Sequence, residues 1–238
     1  MRLYNKEIDI DQDKIKSFFD KRGKNADINS ILSSTMFTEK EKAEKRDLIE
    51  KELFLNNITV KPNSKVLEIG CGVGRWAKIF SNKVIYLGLD YSDELLKLAK
   101  EDNPSSNIYF QLISADNIKP DKLIVNPPFD LLIMTGLSIY INDEQLKKVF
   151  NSINEVTSKD SIIYIREPVA IDKRLTLKEF FSEELDDQYS AIYRTEPNYF
   201  EFFEIIEGFE IIKSGNLYDK NMHNRAETVH KYYILKRE

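Results

Sequence analysis

Short apolar runs alternate along this chain with stretches in which apolar residues recur every three or four positions. The run from Val66 into Gly70, then Val84–Asp90, Asn107–Asp116, Phe129–Leu137 and Ser161–Val169, read as strands rich in β-branched and aromatic residues. Helical spacing governs the segments between them. A helical pattern follows the glycines after the first strand. Leu95, Leu96, Leu98 and Ala99 form one apolar face behind a Ser92 cap, and Pro104 ends that helix. Asn142-Asp143-Glu144-Gln145 opens another as a capping box, with Leu146, Val149, Phe150, Ile153 and Val156 behind it. Thr38-Glu39-Lys40-Glu41 opens a mixed-charge helix that runs to about Asn57. Thr176-Leu177-Lys178-Glu179 predicts a short helix, and Pro197 suits the first turn of one that Gly208 ends. Gly208–Tyr218 and Thr228–Glu238 read as a closing pair of strands. Strand and helix alternating in this way predict an α/β fold.

The junction after the first strand carries the chemistry. Gly70, Gly72 and Gly74 are spaced G-x-G-x-G, with Arg75 where a dinucleotide fingerprint has its last glycine. Glycines there let the backbone turn sharply and approach a ligand closely. Twenty residues after Gly70, Asp90 closes the second strand, where a carboxylate can accept both hydroxyls of a ribose. Alone, the glycines are a tight turn and Asp90 a strand-end acid. In order, at βαβ spacing, they point to a nucleoside ligand.

These residues resemble the class I S-adenosylmethionine-dependent methyltransferases. Leu67-Glu68-Ile69-Gly70-Cys71-Gly72-Val73-Gly74 is similar to that family's first motif, Asp90 to its ribose acid, Ala115-Asp116 to its adenine-contacting pair, and Phe129–Leu137 to the strand beside the transferred methyl. The resemblance spans roughly residues 60 to 238. It implies a Rossmann-like seven-stranded sheet with helices on both faces and a C-terminal antiparallel hairpin. It also implies S-adenosyl-L-methionine as cofactor, with S-adenosyl-L-homocysteine as product. The implied contacts are Glu68, Gly70, Cys71, Gly72, Asp90, Tyr91, Ala115, Asp116, Thr135 and Leu137, with Glu68 orienting the methionine ammonium. Residues 1–60 then form an N-terminal helical lid, with Tyr4 and Arg46 as candidate contacts, and residues 61–238 the methyltransferase domain. Within it, the aromatic-rich segment at about 170–207 is an acceptor-site cover, and equally a candidate homodimer surface.

Composition narrows the partners. With 238 residues, 42% hydrophobic and 32% charged, the chain fits one soluble core of ordinary composition. The net charge of −5 argues against nucleic acid, whose phosphates call for a basic surface. No apolar run approaches the ~20 residues that span a bilayer, and the N-terminus lacks the apolar core of a signal peptide. A single cysteine, Cys71, and two histidines, His223 and His230, argue against disulfides and a metal site. A cytoplasmic protein with a small-molecule acceptor is the expectation.

The acceptor is less legible. Tyr140, Asp143, Glu167 and His223 are candidate bases, with Glu167, His223 and Tyr140 carried forward as catalytic, while His230 reads as a half-buried sheet residue. Glu167 can equally be a carboxylate paired to Arg166 or Arg194. Arg166, Arg174, Arg194 and Arg225 suit a phosphorylated acceptor or simple surface pairs. A softer resemblance to methyltransferases of bacterial capsule and surface-polysaccharide gene clusters implies a hydroxyl of a sugar-type or phosphorylated metabolite. Asn126-Pro127-Pro128-Phe129 competes with it, being similar to the signature of N-methyltransferases acting on nucleic-acid bases or protein amides. The plain alternative is a diproline turn before the fourth strand. An NAD-linked dehydrogenase and a non-catalytic cofactor-binding or regulatory subunit are the readings from other classes.

Overall fold

The computed structural model describes residues 1–25, 40–80, 84–183, 185–219, 222 and 225–238. In chain order its strands and α-helices are β1 (Arg2–Tyr4), α1 (Gln12–Lys24), α2 (Lys40–Asn57), β2 (Lys65–Ile69), β3 (Ile85–Asp90), α3 (Asp93–Asp102), β4 (Ile108–Leu112), β5 (Phe129–Thr135), α4 (Asp143–Val156), β6 (Thr157–Ala170), β7 (Leu175–Ser182), β8 (Asp187–Tyr193), α5 (Glu196–Phe203), β9 (Phe209–Asn216) and β10 (Thr228–Arg237). Seven strands form one sheet in the order β4-β3-β2-β5-β6-β10-β9, and β1-β7-β8 form a second, smaller one. Strands β4 to β6 run parallel; β10 reverses direction against both β6 and β9. The seven-stranded Rossmann-like sheet with its antiparallel hairpin is therefore present.

Strand parity builds the core on both faces of the large sheet. Leu67, Ile69, Leu87, Leu89, Leu132 and Met134 pack against Leu146, Val149, Phe150 and Ile153 of α4 and against α5. Val66, Tyr86, Leu131, Ile133 and Tyr164 face the other way, onto Phe54 of α2, Trp76 and Leu96 of α3. All five α4 positions named from spacing are fully buried, each worth about 1.5–3 kcal/mol of apolar burial. A third cluster joins Ile15 and Phe19 of α1 to Tyr140, Leu177 and Tyr189, so α1 and the small sheet share a core over the carboxyl edge of the large one.

Local signals fail at three places. The segment after the glycines forms turns and a 3₁₀ turn at Ala77–Phe80 rather than an α-helix. Thr176–Glu179 belongs to β7, where pairing with β1 and β8 on either side overrides the capping-box signal. Asn142 caps no amide of α4; its side chain instead clasps Ile10, accepting from the Ile10 amide at 2.9 Å and donating to its carbonyl at 3.0 Å. Ser92 caps α3 as expected, accepting from the Leu95 amide at 3.3 Å. The Thr38-Glu39 half of the other capping box lies outside the described residues.

Candidate active site

Two cavities open at the carboxyl ends of β2, β3, β5 and β6, and they meet at Gly70, Thr135, Gly136 and Tyr140, which line both. This is the edge at which an open α/β sheet presents its loops to a ligand.

The smaller cavity, about 100 Å³, is lined by Gly72, Asp90, Tyr91, Ala115, Asp116 and Leu137 among others. Gly70 holds φ +75, and a Cβ there would stand 2.8 Å from Leu137 Cδ1, so only glycine leaves this passage open. Asp90 is buried, and its two oxygens accept the amides of Gly72 and Ser92, both at 2.9 Å. Burial raises its pKa against the opposing pull of those amides. Asp116 accepts from the Ser114 hydroxyl and, at 3.3 Å, from Gln145 Nε2.

The larger cavity, about 390 Å³, takes Arg46, Asp47 and Glu50 from α2 and Glu68 from β2. Tyr189 and Tyr193 come from β8, and Arg225, Thr228 and His230 from the segment entering β10. Burial pushes the Glu68 carboxyl up to about 8, and Tyr86 donates its hydroxyl to it. Glu50 takes the opposite course. Burial alone would raise it, but Arg166 and Arg75 outweigh that and hold it below the usual carboxylate range. Arg75 donates to Asp47 at 2.5 Å, Glu50 at 2.9 Å and Thr135 Oγ1 at 3.2 Å, tying α2 to the glycine loop and to β5.

At the far side of this cavity the Tyr189 and Tyr193 hydroxyls lie 2.8 Å apart, and the Arg225 guanidinium stands 6.0 Å from both ring centroids. Among the described residues no carboxylate is within ion-pair distance of Arg225, unlike Arg166, Arg174 and Arg194, which hold Glu50 or Asp143.

The predicted residues divide accordingly. Tyr140 lines both cavities, its ring 5.0 Å from Phe19 and 6.2 Å from Tyr189. Burial pushes the Cys71 thiol well up, and its sulfur packs against Gly88, so it is a small neutral wall residue. Glu167 lines neither cavity. Neighbouring Arg166 and Pro168 face the larger one, and strand parity turns Glu167 away. Its Oε1 accepts the Leu137 and Ser138 amides at 3.1 and 3.0 Å, which makes it a brace for the loop after β5 rather than a base. Asp143 is held by Arg174 and Arg194. His223 lies outside the described residues. Tyr4 is exposed, donating to Glu227 at 2.7 Å, while Arg46 does line the larger cavity.

Asn126-Pro127-Pro128-Phe129 sits at the amino end of β5, opposite the cavities. Phe129 is fully buried in the core, and the Asn126 carbonyl accepts from Lys65 Nζ at 2.8 Å, so the motif works as a turn and not as an amine-binding signature. The Glu50–Arg75–Arg166 cluster escaped sequence inspection because its partners are far apart in the chain; Arg75 in the last-glycine position was its one local sign. Among the described residues no group of His, Cys, Asp or Glu is arranged to hold a metal ion, and no helix is long and apolar enough to cross a membrane.

A family model described as a methyltransferase domain matches residues 66–160. Phosphoethanolamine N-methyltransferase 1 of Caenorhabditis elegans is 26% identical over 163 residues, which is 67% of this chain and 32% of the relative. The chain thus spans about a third of that relative's length. Among solved structures, Haemonchus contortus phosphoethanolamine N-methyltransferase 1, in complex with phosphoethanolamine and S-adenosylhomocysteine, superposes with a TM-score of 0.73 at 19% identity, covering 95% of this chain and 48% of that one. A Leishmania major S-adenosylmethionine-dependent methyltransferase gives 0.66 at 18% identity, covering 93% and 82%. Residues 66–160 thus match a methyltransferase domain, and the strand order is the fold that the chain shares with these solved methyltransferases.

Proposed function

We propose that this chain transfers a methyl group from S-adenosylmethionine to a small acceptor that carries a phosphate and presents an amine. The observation that carries this reading is Arg225, a cation with no carboxylate partner among the described residues, set beside two tyrosine hydroxyls in the larger cavity. Arginine forks and hydroxyl donors suit phosphate oxygens. The amine, in place of the hydroxyl expected from sequence, is supported by the phosphoethanolamine N-methyltransferases among the similar proteins.

The smaller cavity fits a nucleoside: it is mostly apolar-walled, passes Gly70 where a Cβ would block it, and carries the Asp90 carboxylate on its lining. Asp90 would take the ribose hydroxyls, with Gly72 and Tyr91 beside it and Ala115, Asp116 and Leu137 around the adenine. Glu68, Gly70, Cys71 and Thr135 lie toward the methionine end, where the two cavities meet. An ammonium beside Glu68 favours its ionised form, so binding there is coupled to loss of the Glu68 proton. The bound cofactor supplies a methyl already activated on a sulfonium. The protein's remaining task is alignment at ~3 Å and exclusion of water. Tyr140, on both linings, forms the wall at the transfer point. Residues 1–60 would act as a lid through α2, and residues 170–207 as the acceptor cover through β7 and β8.

Transfer of labelled methyl to phosphoethanolamine, compared with ethanolamine, tests the proposal. We expect label on the phosphorylated amine alone. Arg225→Gln should raise its KM by ~10–100-fold, equivalent to the ~1.5–3 kcal/mol of a charge-assisted hydrogen bond. Equal use of ethanolamine would remove the phosphate subsite from the account.

A further inference from the structure

We propose that Arg75 is a positioning residue that ties α2, a wall of the acceptor cavity, to the glycine loop of the donor site, so that donor binding sets α2 for transfer. This rests on the reading above of the smaller cavity as the donor's. Gly74, at φ +71, ends the glycine turn where a Cβ would stand 2.8 Å from Phe110 Cζ, so the backbone entering Arg75 is closely confined.

The contacts run from one cavity to the other without a break. Asp90 lines the smaller cavity and accepts the Gly72 amide at 2.9 Å, so a nucleoside held by this acid touches the group that grips the loop. Three residues on, the Arg75 guanidinium donates to Asp47 and Glu50 of α2 and to Thr135 of β5. Asp47, Glu50 and Thr135 line the larger cavity, and Thr135 lines the smaller one as well.

Stability alone does not call for charges at this place. Further along α2, Phe54 meets Trp76 and Tyr164 with ring centroids 5.0 and 5.2 Å apart, the apolar packing by which a helix ordinarily joins a sheet. A buried ion network stabilises little beyond apolar side chains of the same volume. What it fixes is register. Asp47 and Glu50 stand three positions apart, on one face of the helix, and the Arg75 fork engages both. Rotating or sliding α2 breaks a prong.

Nor do the carboxylates depend on Arg75 for a counter-charge. Asp47 keeps Lys51 at 2.7 Å, and Glu50 keeps Arg166 at 2.7 Å. Replacing Arg75 therefore leaves neither acid alone, which separates alignment from folding.

The test follows amide hydrogen exchange in α2 with and without saturating S-adenosylhomocysteine, in wild type, Arg75→Gln and Arg75→Lys. Exchange in α5, which lines neither cavity, is the internal reference. In wild type we expect the ligand to slow α2 relative to α5 by ~10-fold. In Arg75→Gln the slowing should shrink to within twofold, with ligand affinity within threefold of wild type. Arg75→Lys keeps the charge without the fork and should fall between the two. With phosphoethanolamine as acceptor, Arg75→Gln should lose ~10–100-fold in kcat, the scale of a misplacement of ~1 Å. Adding Asp47→Asn should cost less than threefold more, because both changes remove the same contact.

No ligand-dependent slowing of α2 in wild type, or full slowing in Arg75→Gln, would overturn the proposal. Should Arg75→Gln not fold, slowing in Arg75→Lys equal to wild type does the same. If the slowing depends on Arg75 while phosphoethanolamine goes unmethylated, the acceptor assignment fails and the role of Arg75 stands. If S-adenosylhomocysteine does not bind wild type, the donor site fails first and the role of Arg75 falls with it.

Discussion

Arg166 of β6 closes a two-pronged pair on Glu50 of α2, with Nε at 2.7 Å from Oε1 and Nη2 at 3.1 Å from Oε2, across 116 positions of sequence. Arg75 adds a third contact to the same carboxylate at 2.9 Å. Glu50 is 1% exposed, and removing it leaves the mostly covered Arg166 guanidinium without its ion-pair partner and takes one of two carboxylates from Arg75. Glu50→Ala should destabilise the fold by about 3–5 kcal/mol, as breaking a buried pair does. Urea denaturation checks this, and a change under 1 kcal/mol would show that α2 does not depend on the pair.

Glu68 and Glu50 impose opposite pH dependences. The folded pKa of Glu50 lies below its ordinary value, so its stabilisation is present above about pH 4.5 and fades as pH falls through the folded value. Glu68 is raised to about 8, so its protonated form favours the fold below about pH 4.5 and that advantage declines as pH rises to about 8. Glu68→Gln, which still accepts from Tyr86, should match wild type near pH 5. By pH 8 it should exceed wild type by on the order of 2 kcal/mol or more. Parallel stability curves for the two proteins would show that Glu68 does not titrate in this range.

Asp90 grips the glycine loop through Gly72 and the start of α3 through Ser92, with its carboxylate on the nucleoside cavity. Asp90→Ala should weaken S-adenosylhomocysteine binding by about 1–3 kcal/mol through lost charge-assisted hydrogen bonds. A folded variant whose dissociation constant is unchanged would remove Asp90 from the ribose site.

Asn126 is exposed at the amino end of β5, away from both cavities. Asn126→Ala should therefore leave methyl transfer within twofold of wild type. A large drop in kcat with intact folding would restore the Asn-Pro-Pro-Phe segment as an amine site.

Glu167→Ala should leave the Leu137 and Ser138 amides without their acceptor, at a cost of about 1–3 kcal/mol in stability. The acceptor's KM should move little, because Glu167 lines neither cavity. A selective rise in KM at unchanged stability would contradict its role as a loop brace.

How much of this was legible in the chain depends on how local each cause is. The glycine turn, Asp90, the Ser92 cap and the apolar stripe of α4 announce themselves because their physics acts within a few residues. Glu167 misled because β6 starts at Thr157, and assigning a face to one residue needs a parity that only pairing with β5 and β10 supplies. Thr176–Glu179 misled because its strand exists only between β1 and β8. Arg75, Glu50 and Arg166 converge from three distant elements, so no window of sequence contains them together. His230 was read as a sheet residue, which it is; that its sheet position also faces the cavity follows from the order of β6 and β10.

The central claim, a donor site built between Gly70 and Asp116, is tested most directly by calorimetric titration with S-adenosylhomocysteine, using NAD as the comparison ligand. The account predicts one site of micromolar affinity for the first and no heat from the second. Absence of binding by S-adenosylhomocysteine, or equal binding of NAD, would contradict it.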